Sequence, residues 1–209
     1  MSSQPVRDPI GDPLLTPTNC TVILIDYQPI QVASVGSMDR DLLVDNVVRV
    51  ATIARTYRVP VVLSTVNVAT GRNQPTIPRL LEALGGVAAI DRTGMNAWED
   101  REFVAAVRAT GRRKLVMCAL WTEVCLAFPA LDAMREGYDV YPVVDAIGGT
   151  SLESHRAGLA RVTNAGAAPI SWTALVCELQ RDYARTETVG AFMKILFDPH
   201  VPFVAAQHR

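Results

Sequence analysis

The fold class this sequence predicts is α/β: a three-layer α/β/α sandwich on a doubly wound, six-stranded parallel sheet of order 3-2-1-4-5-6, Rossmann-like in its winding. Three observations predict it. Thr21–Asp26 and Lys114–Leu120 are apolar runs without polar alternation, the mark of strands buried on both faces and hence of a parallel sheet. Strand-type and helix-type patterns alternate along the chain, as in a layered α/β domain. Gly111, Gly137 and Gly166 each stand just past a helical pattern, where a helix stop belongs.

Residues 1–18 carry Pro5, Pro9, Pro13 and Pro17 and are expected to form an extended N-terminal arm, lying over the domain or over a neighbour. The globular domain is assigned to 19–197 and a C-terminal tail to 198–209. Strand one, Thr21–Asp26, ends in a carboxylate. Leu42, Leu43, Val47, Val50, Ile53 and Ala54 recur at helical spacing within 39–58. Strand two is Val59–Ser64, and a polar loop with Gly71, Asn73 and Pro75 leads to a short helix at 77–84. Strand three, Val87–Ile90, is weaker and ends at Asp91-Arg92. Glu99–Thr110 is helical, strand four is 114–120, and a helix runs from about 123 to Gly137. Strand five is Asp139–Asp145, Ser151 caps a helix through Ala165, and Pro169–Thr173 is strand six. Residues 174–196 are helical in one or two pieces.

Composition narrows the function. The 209 residues are 49% hydrophobic and 20% charged, enough apolar material for a sheet covered on both faces. A net charge of −1 with no basic stripe argues against a nucleic-acid partner. No apolar run nears the ~18 residues that a membrane span needs, and residues 1–20 lack the pattern of a secretion signal, so none is expected. Cys20, Cys118, Cys125 and Cys177 lack metal-site spacing, so reduced thiols, no metal, no cofactor and a cytoplasmic setting are expected. His155, His200 and His208 are poorly placed to serve as a base for a cysteine.

The chain is organised around 112–128, RRKLVMCALWTEVCLAF, where a buried strand gives way to a helix. A thiol at such a junction, Cys125, faces unpaired backbone N–H groups and the positive end of the helix dipole, which lower a cysteine pKa. In the predicted strand order, strands one and four flank the point where the order reverses, and ligands bind outside the carboxyl ends of the strands there. Asp26 and Cys125 then meet in one crevice, the carboxylate as general base. Arg92, ending strand three, reaches the same crevice as a cation. Asp145, one strand further out, is read as structural or substrate-shaping.

VILIDYQ (22–28), RTGMNAWED (92–100), KLVMCALWTEVCLAFPAL (114–131) and YDVYPVVDA (138–146) resemble the isochorismatase-like cysteine hydrolases, most of all their YcaC-type subgroup, over roughly 19–185. The resemblance implies an Asp–Lys–Cys triad that hydrolyses C–N bonds of amides and related substrates. The family Asp falls on Asp26 and the nucleophile on Cys125. The family Lys falls on Arg92, a departure that keeps the charge but cannot shuttle a proton. The resemblance also implies a cis peptide at Leu120–Trp121, an oxyanion hole from the N–H groups of Trp121 and Cys125, a pocket at Gln28, Asn96, Trp98, Leu120, Trp121 and Thr122, and a homo-oligomer. The metal-binding cluster of the nicotinamidase branch has no counterpart in VNVATGRNQ after strand two.

The expectation is a cysteine hydrolase that cleaves a small amide through a thioester. Two alternatives stand beside it: an isochorismatase-type vinyl ether hydrolase, and a metabolite-binding member disabled by arginine at 92. A redox-responsive thiol is a further class, since an exposed low-pKa cysteine is also an oxidation target.

Overall fold

A computed structural model describes residues 8–198, so residues 1–7 of the arm and 199–209 of the tail, with His200 and His208, lie outside the described residues. The sheet is parallel and five-stranded, in the order β3-β2-β1-β4-β5. Its strands are β1 Cys20–Ile25, β2 Val61–Val66, β3 Ala89–Arg92, β4 Lys114–Ala119 and β5 Asp139–Pro142. Every residue of β1 and β4 is buried, which is why both are apolar apart from Thr21 and Lys114 near their starts. They are neighbours in register, with Ile25 beside Ala119, so the chain leaves both strands at one rim of the sheet.

The sixth strand is corrected by the structure. Of that segment only Ile170 bridges Val143, through Ile170 N–H to Pro142 O (2.9 Å) and Val144 N–H to Ile170 O (2.8 Å). Ser171 then accepts from Ala174 N–H, and Asp145 accepts from Trp172 N–H, so a helix starts where the strand would continue. Asp145 is thereby a structural anchor. Strand three lies two residues later than its apolar pattern suggested, which makes Arg92 its last residue.

The helices are α1 Pro29–Ala33, α2 Arg40–Thr56, α3 Pro78–Leu84, α4 Arg101–Ala109, α5 Ala127–Arg135, α6 Leu152–Asn164, α7 Trp172–Gln180 and α8 Thr186–Leu196. Helix α2 packs on α3, α7 and α8, while α5 packs on α6 and on the 3-10 turn Ala97–Glu99 that leads into α4. Those two groups cover the two faces of the sheet. Asp39, Asp100 and Ser151 cap α2, α4 and α6 with side-chain bonds. Ala127, Pro129 and Ala130 of α5 are buried in the core, and Phe128 and Leu131 are partly buried against it.

Residues 8–18 form turns at the amino edge of the sheet. Buried Lys114, at the start of β4, donates to Asp12 O, Pro13 O (3.0 Å) and Leu14 O (3.0 Å). This buried cation is thus committed to the arm, at the end of the sheet away from Asp26 and Cys125.

Candidate active site

Asp26 comes directly after β1 with a left-handed backbone, φ 63°, which aspartate tolerates better than most residues. Its N–H donates to Ser64 O (3.0 Å) and its O accepts from Gln28 N–H (2.8 Å), so both flanks fix the turn. Arg92 arrives from two strands away and grips the Asp26 carboxylate with both terminal nitrogens, Nη1 to Oδ1 and Nη2 to Oδ2, each at 2.7 Å. Such a fork-to-fork pair is strong and directional. Nη1 also reaches Ser64 Oγ (3.2 Å) and Thr65 O (3.1 Å), and Nη2 reaches Met95 O (3.3 Å). Arg92 Nε is buried with no partner among the described residues. Both side chains of the pair are essentially excluded from solvent, at 1% and 0% exposure.

Cys125 completes the cluster from the far side of β4. The Leu120–Trp121 peptide is cis, and residues Thr122–Leu126 form a π-helical turn before α5 begins at Ala127. The acidity of the Cys125 thiol is set by burial, by the Asp26 carboxylate, by the Arg92 guanidinium and by the Trp121 N–H. Its electrostatics correct the sequence expectation of a lowered pKa. Burial pushes the thiol up, and the Asp26 charge and hydrogen bond push the same way, against smaller help from Arg92 and the Trp121 N–H. Burial and the neighbouring carboxylate thus both favour the protonated sulfur. For Arg92, burial disfavours charge, but Asp26 and then Cys125 outweigh it and hold the pKa above its ordinary value.

Alkylation should report this state. A raised pKa leaves little thiolate at neutral pH, so the rate of Cys125 labelling by acrylamide is expected to keep climbing past about pH 8.5, where an ordinary thiol begins to level off. A plateau at or below that value would contradict the thiol–carboxylate arrangement.

The structure gives most of the expected pocket residues other tasks. Gln28 commits its amide to Val66 O (3.1 Å), Gln74 O (2.6 Å) and Val66 N–H (2.9 Å), tying the end of β2 to the 67–76 loop. Asn96 accepts from Trp98 N–H (3.0 Å) and donates to Asp132 (2.8 Å). Trp98 lies edge-on to Phe103 and Tyr138 and donates to Glu136 (3.0 Å). Leu120 and Thr122 are wholly buried, and Thr122 Oγ1 is bonded to His155 Nδ1 (2.9 Å). These five are engaged in bonds or packing that hold the elements around the cluster in place. Trp121 is half-buried at the rim, its Nε1–H on Ser34 Oγ (2.9 Å). Ser64 is a site residue that the sequence reading missed; its signal was a small hydroxyl in a strand otherwise apolar.

Fold and site together define a doubly wound α/β domain with a carboxylate, a cation and a thiol in contact at the point where strand order reverses. An isochorismatase domain model matches residues 20–174. The probable hydrolase YcaC of Escherichia coli strain K12 is 35% identical over 189 residues, covering 90% of this chain and 89% of that one. Its crystal structure, described as an octameric hydrolase of unknown specificity, superposes with TM-score 0.84 at 33% identity, covering 99% of this chain and 97% of that one. YcaC from Pseudomonas aeruginosa, solved with hexane-2,5-diol and covalent acrylamide, gives TM-score 0.84 at 35% identity, covering 94% and 96%. The chain belongs to the isochorismatase family, as a YcaC-type member.

Proposed function

We propose that this family member is a cysteine hydrolase that cleaves the C–N bond of a small amide through a thioester, with Cys125, Asp26 and Arg92 as its working groups. One observation carries the reading: three chemically complementary side chains, from the ends of β1 and β3 and from the turn after β4, meet in one buried cluster. The Asp26 carboxylate neighbours the thiol and favours its protonated form, so a base is already in place. As Sγ adds to the carbonyl carbon, the thiol proton passes to Asp26, and the N–H groups of Trp121 and Cys125 meet the oxyanion. The proton then goes to the leaving nitrogen, the C–N bond breaks, and the amine departs from a thioester. Water adds to the thioester with Asp26 again taking a proton; collapse releases the acid and returns the proton to sulfur.

Arg92 does not exchange protons in this scheme, since a guanidinium stays charged throughout. It holds the Asp26 carboxylate in place and offsets negative charge as the sulfur attacks. The covalent acrylamide in the Pseudomonas protein supports a reactive nucleophile in this branch, because acrylamide is an electrophile that nucleophiles such as thiols capture. Homo-oligomerisation is carried in the same proposal by the octameric Escherichia coli relative.

The test is ammonia release from a library of small primary amides, with quenched-reaction mass spectrometry of the Cys125 peptide. An acyl mass on that peptide, appearing as ammonia appears, is the expected result. Turnover of a vinyl ether that survives Cys125→Ser, with no ammonia released from any amide and no covalent adduct, would turn the reading to vinyl ether hydrolysis. Saturable binding without turnover in the wild type would leave a metabolite-binding protein.

A further inference from the structure

We propose that helix α6 and the turn before it clamp the nucleophile-bearing segment, with His155 and Gly158 as positioning residues for Cys125. This rests on Cys125 being the nucleophile. Residues Thr122–Leu126 adopt the wide π-helical turn, in which Leu126 N–H reaches back five residues to Trp121 O (3.2 Å) while Val124 N–H bonds the same oxygen (3.1 Å). Such turns are rare and recur at functional sites, where surrounding contacts sustain them.

Those contacts come from one stretch of chain. Thr122 N–H donates to Gly148 O (2.9 Å), and the Thr122 hydroxyl pairs with His155 Nδ1 (2.9 Å). Glu123 Oε1 accepts from Thr150 N–H (3.0 Å) and Thr150 Oγ1 (2.6 Å). Gly158 lies flat on the segment: a Cβ there would stand 2.7 Å from Glu123 Cα, 2.9 Å from Glu123 N and 3.0 Å from Thr122 C. All three neighbours are backbone atoms, so no side chain can yield. At Gly149 a Cβ would meet Glu123 Oε2 at 2.7 Å and His155 Cβ at 2.8 Å.

The segment two and three residues before Cys125 is therefore fixed by direct backbone approach and by a part-buried hydroxyl–imidazole bond. Neither His155 nor Gly158 belongs to the Asp26–Arg92–Cys125 cluster. Burial holds the His155 pKa below its ordinary value, with Glu123 opposing and Arg156 assisting, which favours the neutral ring. The Cys125 sulfur sits between a carboxylate that suppresses its thiolate and a guanidinium that promotes it. Any displacement changes that balance.

The test measures Cys125 alkylation by acrylamide in the full chain, beside kcat and KM for whichever amide proves to be a substrate. His155→Leu removes the partner of Thr122, and His155→Asn returns a hydrogen-bonding atom close to the Nδ1 position. The leucine variant is expected to differ from wild type about tenfold in alkylation rate, and to lose about tenfold or more in kcat with KM little changed, since small misplacements of reacting groups cost that much. The asparagine variant is expected to recover most of both. Gly158→Ala should repeat the leucine result. Leucine and asparagine variants that behave alike, or a leucine variant with wild-type alkylation, would overturn the clamp. If the wild type hydrolyses no amide, the hydrolase reading fails on its own, and the alkylation series still decides this one.

Discussion

Asp26→Asn is expected to slow amide turnover about 10²–10⁴-fold, the usual worth of a positioned base, while making Cys125 easier to alkylate. The opposite signs come from one cause. Burial is the largest influence that keeps the sulfur protonated, and the Asp26 charge and hydrogen bond are next. Asparagine nearly preserves the shape of the side chain but removes the negative charge, leaving the Arg92 guanidinium beside the sulfur to favour thiolate. The thiol becomes more acidic and more reactive toward acrylamide, yet the group that carries protons to the leaving nitrogen is gone. Ammonia release and labelling rate, measured on the same preparations, check this. Falling together, they would make Asp26 only a scaffold; turnover at the wild-type rate would remove it from the chemistry.

Arg92→Met is expected to destabilise the protein by about 3–5 kcal/mol, because it strands a buried carboxylate without its counterion. The pair has two 2.7 Å bonds and almost no solvent contact, so water cannot stand in for the missing fork. Against a typical total stability of about 5–15 kcal/mol, that is a large share. Arg92→Lys restores the charge at a single point and dispenses with the unpartnered buried Nε, so its cost should be clearly smaller than that of methionine. Urea unfolding of both variants gives the comparison. A loss under about 1 kcal/mol for methionine would mean that the pair contributes little net stability, as some buried pairs do.

Much of this site was legible from the chain. Asp26 and Cys125 could be brought together because each lies past the end of an apolar, doubly buried strand, and parallel strands put their carboxyl ends on one rim. Arg92 was placed there by its position after a strand, and the structure gives it that place through the two-residue shift of β3. Gln28, Asn96 and Thr122 were not legible as scaffold, since their partners are Val66 and Gln74, Asp132, and His155, all distant in sequence. The sixth strand was misread for a local reason: Pro169–Thr173 carries a strand-like pattern, but the Ser171 hydroxyl and the Asp145 carboxylate satisfy the first N–H groups of a helix.

By itself the sequence determined the parallel α/β class and the two central strands whose ends carry Asp26 and Cys125, because hydrophobic periodicity is a local property that sets which faces are buried. The tertiary structure decided that burial and Asp26 raise the pKa of the sulfur, that Arg92 is committed to Asp26, and that α6 packs on the turn carrying Cys125. Those outcomes depend on desolvation and on separations of a few ångströms between residues far apart in the chain, quantities that no local pattern encodes.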